Sequence, residues 1–411
     1  MRANERAAWI AVWVAALGYF VDVFDLILFS LVRVESLQSF GLEGEKLLEY
    51  GVLLLNAQMA GMLIGGVLFG VWGDKKGRLS VLFGSILAYS LANIANGFVT
   101  NVPMYAVMRF IAGVGLAGEL GAGITLVSES LPKEKRGLGT TVIATIGVAG
   151  AVVGSLVTRE VHWRTAYFIA GGMGLALLAL RVAVKESGLF EKLSNDTKVV
   201  RGDLRLLVAS PERIKRFFYC LLPGLPIWFV LGILVTFAPE LGAARGFKEP
   251  LGAGDAVFYA YVGFIIGDLT SGLLSHLLRT RKRVARAFIL LTVGASAFAL
   301  VGPELSPANL KAWYVLLGIG SGYWAVLVAM AAEQFGTNLR ATMATSVPNF
   351  VRGAVVPMTL TLNFFKPSLG FVGASMVVLT AVSALAIFSL ARLRETFGID
   401  LDYLETYSGE V

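Results

Sequence analysis

Apolar runs of about 20 residues follow one another along nearly the whole of this 411-residue sequence. A run of that length lets an α-helix cross the hydrocarbon core of a bilayer, because the helix rises about 1.5 Å per residue. Twelve such runs occur, at 8–33, 50–72, 79–100, 103–130, 137–158, 164–185, 214–239, 254–277, 284–302, 309–332, 341–364 and 368–391. The sequence therefore predicts an all-α membrane protein with about twelve transmembrane helices.

The composition agrees with a membrane protein and argues against several other classes. Hydrophobic residues make up 56% of the chain and charged residues only 15%, which is too much apolar surface for a soluble globular domain. The single cysteine cannot form a disulfide within the chain, and the two histidines lie far apart in the sequence. The net charge of +7 is explained by basic loops on one side of the membrane, so we expect no nucleic-acid partner.

No arrangement of residues typical of an enzyme occurs in the sequence. A Ser-His-Asp, Cys-His or metal-ligand spacing is missing, so we expect no catalytic site, no metal and no cofactor. The segment 113–118 matches the dinucleotide-binding pattern G-x-G-x-x-G, but it lies inside an apolar run. In that position, small residues predict close packing of helices rather than a nucleotide site.

Lysine and arginine are concentrated in alternate intervals between the predicted helices. Basic residues occur near 75–78, 133–136, 186–213 and 279–283 and at Arg340, whereas the intervening loops are short or acidic. By the positive-inside rule the basic intervals face the cytoplasm, which places both termini there. We expect a multi-pass protein of the inner (plasma) membrane that acts as a monomer in the lipid bilayer.

Two sequence patterns recur at nearly the same offset. The segment 129–136 is repeated in outline 204 residues later at 333–340, and the loop that begins at Gly70 has a weaker counterpart 202 residues later at Gly272. Two repeats at one offset indicate a duplicated unit of six helices. We therefore predict an N-terminal six-helix bundle, a cytoplasmic linker, a C-terminal six-helix bundle and a cytoplasmic tail, at residues 1–185, 186–213, 214–395 and 396–411.

The loop 70–78 has the spacing G-x-x-x-D-K-x-G-R, which includes Gly70, Asp74 and Arg78. This spacing resembles the loop signature of the major facilitator superfamily, although Leu79 stands where that family usually has another basic residue. The resemblance implies the fold of that family, with two pseudo-symmetric six-helix bundles, and transport by alternating access. It also implies a cytoplasmic network of charges that steadies one state of the transport cycle, formed by Asp74, Arg78, Glu129, Arg136, Glu333 and Arg340.

We identify six ionisable residues at membrane depth, away from the ends of the predicted helices, where each costs on the order of 3 kcal/mol unless it is paired or faces water. They are Asp22 and Asp25 in the first span, Arg109 and Glu119 in the fourth, Asp268 in the eighth and Arg352 in the eleventh. At about 1.5 Å per residue, Asp25 and Arg109 come to similar heights in their helices, so we expect them to pair. Protonation of Asp25 would then free Arg109, which makes this pair a candidate for proton coupling.

Arg352 is the candidate for binding the substrate, because arginine stays charged and can hold a carboxylate or phosphate through two hydrogen bonds. Asp22 and Glu119 are candidates for contact with the solute. Asp268 is a candidate for coupling, or else a tether between the eighth and eleventh helices. Aromatic residues that we expect to line a cavity for an organic solute are Tyr19, Trp228, Tyr323 and Trp324.

Motifs around these charges also resemble those of particular branches of the superfamily. Asp22-x-x-Asp25 resembles the D-G-[FY]-D motif of aromatic-acid and sialate/lactate proton symporters, with Val23 in place of the glycine. The stretch from Arg109 to Glu119 resembles the R-x-x-x-G…G-G-E pattern of the same groups. These resemblances imply a proton-linked transporter of an organic anion.

We therefore predict a proton-coupled secondary transporter of a small organic solute, expected to be a carboxylate, driven by the proton gradient without a cofactor. Pro223 and Pro226 predict a kink in the seventh helix, which would suit a gate. A proton-driven exporter of an organic cation or drug is the first alternative, because the carboxylates within the spans outnumber the arginines. A non-transporting membrane sensor on the same fold is the second.

Overall fold

The structure, a computed structural model, describes residues 3–76, 78–119, 136–181, 207, 210–398 and 405. These residues are almost entirely helical and contain no β-strand. The helices of the N-terminal half are α1 Ala3–Gln38, α2 Glu45–Lys76, α3 Arg78–Asn96, α4 Val102–Leu116, α5 Arg136–Glu160 and α6 Trp163–Arg181. Those of the C-terminal half are α7 Pro211–Leu221, α8 Leu225–Phe229, α9 Ala238–Ala244, α10 Ala253–Leu277, α11 Arg281–Val301, α12 Pro307–Ser321, α13 Trp324–Glu333, α14 Thr337–Gly353 and α15 Val355–Arg392.

Nine helical stretches in the described part of the chain are long and apolar enough to cross a membrane, and two shorter ones, Ser80–Asn96 and Val102–Leu116, are also apolar. One of the nine, Asn338–Arg392, is 55 residues long. It contains Gly370, whose φ of 66° and ψ of 177° interrupt the helix, so this stretch corresponds to two spans. Together these segments match the twelve predicted spans, and the all-α membrane architecture is confirmed.

Some predicted boundaries were wrong or cannot be compared with the structure. The first span was predicted to end at Arg33, but α1 continues to Gln38. Arg33, the predicted end of the span, is fully buried among the helices. Residues 120–130 of the fourth predicted span, nearly all of the linker 186–213 and most of the tail 396–411 lie outside the described residues.

Glycines let the helices of the N-terminal half approach one another closely. A Cβ atom on Gly61 of α2 would lie 2.2 Å from the carbonyl oxygen of Phe110 in α4, and one on Gly113 would lie 2.1 Å from the carbonyl oxygen of Gln58. Only glycine allows two backbones to pack at this distance. The interpretation of segment 113–118 as a packing motif is therefore confirmed.

The seventh and tenth spans are not continuous α-helices. After α7, Pro223 lies in a 3₁₀ turn, Leu222–Gly224, and the short α8 is followed by a π-helical segment, Val230–Val235. Proline has no N–H to donate to the preceding turn, and the regular helix is interrupted there as predicted. The tenth span is divided at Gly322 into α12 and α13.

The two halves meet along a seam in which α2 packs against α14, and α5 and α1 pack against α10. Near the middle of this seam, the side-chain amide of Asn349 donates to the carbonyl oxygen of Ala117 at 2.8 Å. The chain turns from α1 to α2, from α3 to α4 and from α5 to α6 at one end of the molecule, where Phe40 and Tyr105 both contact Trp163. This end, predicted to face the exterior, is called the outer end below.

Candidate functional site

A small cavity lies in the seam between the two halves. Its volume is about 20 Å³, which leaves room for little more than one water molecule. It is lined by Tyr19, Val23 and Leu26 of α1, by Val148 of α5, and by Ile227, Trp228, Leu231, Tyr261, Phe264, Trp324 and Arg352 of the C-terminal half. Of the residues predicted to bind the solute, the structure brings four together here: Tyr19, Trp228, Trp324 and Arg352.

Among the described residues, Arg352 is the only arginine or lysine that lines this cavity. Its guanidinium carbon lies 5.8 Å from the ring centre of Trp228 and 5.6 Å from that of Trp324, within the range of cation–π attraction. One Nη atom donates to the side-chain oxygen of Asn349 at 3.5 Å, and Nε has no hydrogen-bond partner among the described residues. The guanidinium is thus held between two indoles, with a donor left for an anion.

Asp22 lies on α1 and is fully buried. Neither of its carboxylate oxygens has a hydrogen-bond partner within the described parts of the chain. The hydrogen-bonding capacity of Asp22 is therefore unused among the described residues, and this carboxylate does not line the cavity.

Glu119, predicted to contact the solute, does not line the cavity. Its carboxylate forms a short ion pair with Arg181, the last residue of α6, and both side chains are buried. Arg181 was missed by the sequence analysis, which did not include it among the charges within the spans. The signal was its position in the apolar run Leu-Ala-Leu-Arg-Val-Ala-Val at 178–184.

Asp25 and Arg109 lie together, and the predicted pairing is confirmed. Arg109 Nη1 is 3.6 Å from Asp25 Oδ1, and neither side chain is exposed. The same Nη1 donates to the side-chain oxygen of Asn93 at 3.4 Å, and the guanidinium lies 5.5 Å from the ring centre of Tyr167. Neither charge lines the cavity, so this pair is separate from Arg352.

Asp268 and Tyr323 stabilise the interruptions in the tenth and seventh spans. Asp268 Oδ1 accepts the backbone N–H of Ala325 at 2.9 Å, in the first turn of α13, where helical N–H groups have no partner within the helix. The prediction that Asp268 tethers the eighth span to the eleventh was wrong, since its partner is in the tenth. The hydroxyl of Tyr323 donates to the carbonyl oxygen of Pro223 at 2.7 Å, and this ring does not line the cavity.

The predicted cytoplasmic charge network can be followed only in part. The side chains of Asp74, Arg78, Glu129 and Arg136 lie outside the described residues. Glu333 forms two hydrogen bonds with Arg281, at 2.6 and 2.5 Å, and Arg340 is half-buried at the start of α14. Sequence analysis had treated Arg281 only as a loop charge that sets orientation.

Glu395, just beyond the last helix, holds the start of α11. Its carboxylate accepts the hydroxyl of Thr280 at 2.5 Å and the backbone N–H groups of Arg281 and Lys282 at 2.9 and 3.2 Å. Burial by itself would raise the pKa of Glu395, but these hydrogen bonds outweigh it and lower the pKa to about 2. A carboxylate at a helix N-terminus is also favoured by the helix dipole.

Replacing Glu395 with glutamine is expected to lower the free energy of unfolding by about 1 kcal/mol at pH 7, a value reduced for solvent screening of this partly exposed group. Because the folded-state pKa is depressed, this stabilisation is present above about pH 4.5 and is lost as the pH falls toward 2. Thermal unfolding in detergent at several pH values measures the effect. The exposed Glu43→Gln is the control, and an equal loss in both variants at pH 7 would contradict the assignment.

The chain also resembles known proteins over most of its length. Residues 8–357 match the family model described as Major Facilitator Superfamily. The sequence is 25% identical over 383 residues to the putative niacin/nicotinamide transporter of Bacillus subtilis, covering 91% of this chain and 94% of that protein. It is 28% identical over 396 residues to the cis,cis-muconate transport protein of Acinetobacter baylyi, covering 90% and 91%.

A solved structure gives the same result for the fold. The proton:xylose symporter XylE bound to 6-bromo-6-deoxy-D-glucose matches with a TM-score of 0.71 and 16% identity, over 97% of this chain and 98% of that one. At this identity the likeness concerns the fold alone. Because the family match covers most of the sequence and the helices agree with that fold, this multi-pass membrane protein belongs to the major facilitator superfamily of transporters and is not an enzyme.

Proposed function

We propose that this protein carries a small organic carboxylate across the membrane, coupled to protons, by alternating access. Arg352 is the observation that carries the proposal: it is a buried, permanently charged group in the seam, held between two indole rings with a donor free. A carboxylate with a flat apolar body suits such a site, because the anion binds the guanidinium while the body packs on the aromatic rings. Niacin and cis,cis-muconate, which appear in the names of the two relatives, are both organic acids, while the first name also includes nicotinamide, a neutral amide.

The arrangement of the carboxylates supports an anion over a cation. Of the four carboxylates inside the spans, Glu119 is paired with Arg181, Asp25 with Arg109, and Asp268 accepts from the start of α13. Three of the four carboxylates are therefore engaged within the protein, so their excess over arginines no longer favours a cation exporter.

Alternating access is supported by the position of the cavity. It lies between the halves, is lined by both, and is too small for an organic solute in this state, so binding requires the halves to separate on one side. One chain thus contains the whole site, which suits a monomer. We place the protein in the inner membrane, with both termini in the cytoplasm. The proton gradient supplies the energy, and no cofactor is assigned.

Uptake by proteoliposomes tests this proposal. The purified protein is given an inward proton gradient and radiolabelled niacin, cis,cis-muconate and benzoate, with benzamide, xylose and an organic amine as uncharged and cationic comparisons. We expect a carboxylate to accumulate only with the gradient, and benzamide not to accumulate. Movement of the amine alone, in exchange for protons, would favour the exporter instead.

Replacing Asp25 with asparagine is expected to separate coupling from binding. The amide cannot take up a proton or balance Arg109, so accumulation driven by the proton gradient should fall to the level of empty liposomes. Counterflow, which exchanges labelled for unlabelled solute without a gradient, should persist because Asp25 does not line the cavity. Both rates should be unchanged in Asp255→Asn, which removes an exposed carboxylate. Loss of counterflow in a folded Asp25→Asn protein would place this residue in binding.

A further inference from the structure

A second buried arginine lies on the same seam, nearer the outer end. We propose that Arg33 is an outer carboxylate-binding site, occupied by Glu240 while the outer end is closed and by the carboxylate of the incoming solute when it opens. This inference rests on the proposed transport of an organic anion. Glu240 then acts as an internal competitor, which the solute replaces.

The contact between Arg33 and Glu240 has the geometry of a bound carboxylate. Nη1 lies 2.7 Å from Oε1 and Nη2 lies 2.8 Å from Oε2, so both oxygens are held by the two ends of one guanidinium. This two-point arrangement is the one in which arginine binds free carboxylates. The Arg33 side chain is not exposed at all, whereas 20% of the Glu240 side chain remains exposed.

The surroundings of Arg33 form a built site rather than a chance ion pair. The guanidinium lies 4.8 Å from the ring centre of Phe237. Its Nη atoms are also oriented by the carbonyl oxygens of Leu47 at 3.3 Å and Thr236 at 3.4 Å. Its buried Nε has no hydrogen-bond partner in the described part of the chain, so a donor remains for a ligand.

Arg33 and the central cavity are connected along one face of α1. Leu26, Ser30 and Arg33 follow at helical spacing, and Leu26 lines the cavity while the hydroxyl of Ser30 hydrogen-bonds that of Thr236 at 3.0 Å. Seven residues separate Leu26 from Arg33, which is about 10 Å along a helix. A solute carboxylate that enters from the outer end would therefore bind Arg33 first and reach Arg352 next.

The position of Glu240 allows it to move away from Arg33. It lies on the seven-residue helix α9, which follows the π-helical segment and begins after Phe237, whose φ of −106° and ψ of 33° are not helical. Among the described residues, two other ion pairs join the halves at this end, Arg159–Asp255 and Lys366–Glu45, and both involve exposed side chains. Exposed pairs contribute little, so the Arg33–Glu240 contact is the main ion pair that must open.

Equilibrium binding of radiolabelled benzoate to the full-length protein in detergent tests the site, with neutral benzamide as the matched probe. The Arg352→Ala background removes the central site. Adding Glu240→Ala to it should increase benzoate affinity at least about tenfold, as expected when a two-point charged contact becomes free, and adding Arg33→Gln should remove that gain. Glu240→Gln, which keeps the shape of the side chain, is used if the alanine variant does not fold.

The outer site would be overturned if benzoate affinity did not increase in Arg352→Ala/Glu240→Ala, or if the increase persisted after Arg33→Gln was added. Unchanged benzoate affinity in Arg352→Ala alone would instead overturn the central assignment, so the two failures can be told apart.

Accessibility gives a second readout that needs no solute. Cys220, the single and buried cysteine, is replaced by alanine, and Ser30→Cys is labelled with a membrane-impermeant maleimide. Glu240→Ala should raise the labelling rate on the order of tenfold by opening the outer end, whereas Asp255→Ala, which breaks an exposed pair at the same end, should not. Equal rates in these two variants would show that Arg33 and Glu240 do not close the outer end, and the proposal would fail.

Discussion

Replacing Arg352 with alanine is expected to reduce accumulation of the transported carboxylate by about two orders of magnitude. Two charge-assisted hydrogen bonds to a buried anion contribute on the order of 3 kcal/mol, and each 1.4 kcal/mol corresponds to a factor of ten. Arg352→Lys keeps the charge but loses the planar fork of donors, so a loss of roughly tenfold or more is expected. Initial rates and counterflow in proteoliposomes measure both variants.

The matched control is Arg159→Ala, which also removes an arginine from the seam. Its side chain is 43% exposed and pairs with an equally exposed aspartate, so the rate should stay within about twofold of wild type. Carboxylate accumulation that survives Arg352→Ala would show that the solute anion binds elsewhere. If the wild-type protein instead exports the amine, Arg352→Ala should leave that export intact, and its loss would contradict the argument from charge.

Replacing Arg181 with alanine is expected to have the largest effect on stability. Glu119 would be left as a buried charge without its partner, and breaking a buried ion pair in this way costs about 3–5 kcal/mol. The free energy of unfolding in mixed detergent, followed by tryptophan fluorescence, is the measurement. Lower yield and a lower unfolding midpoint are expected in Arg181→Ala and, to a lesser extent, in Glu119→Gln.

A double-mutant cycle separates this pair from a general effect of truncation. Arg181→Met combined with Glu119→Gln leaves no buried charge, so the double variant should be more stable than the sum of the single changes implies, by at least about 1 kcal/mol. Additive effects would mean that the two side chains do not interact. The exposed Arg159→Ala again serves as the control for loss of an arginine.

Part of the site could be predicted from the sequence, because the position of a buried charge can be read within a single helix. A charged residue inside an apolar run is recognisable in the sequence, and the helix rise together with the bilayer thickness gives its depth. This reasoning identified Arg352 and the pairing of Asp25 with Arg109, which the structure places 3.6 Å apart. It missed Arg33, which was predicted to be the end of the first span, and Arg181, which lies inside the sixth span but was not included among the buried charges.

The partners of the other buried charges could not be predicted in the same way. Glu240 is 207 residues from Arg33 in the sequence, and Arg181 is 62 residues from Glu119. No local pattern joins such residues, because their contact depends on which faces of separate helices pack together. Asp268 shows the same limit: its height was readable, but its partner became clear only once the tenth span was seen to divide into α12 and α13.

The sequence by itself determined the class of protein, the number of spans, the expected orientation and the buried charges that had to be compensated. These features depend on the transfer of each segment from water to lipid, which is a property of local composition. The tertiary structure alone decided which carboxylates are engaged inside the protein, where the aromatic rings meet Arg352, and that Arg33 and Glu240 join the halves. Those outcomes depend on side-chain packing between helices distant in the chain, where small differences in approach select one partner over another.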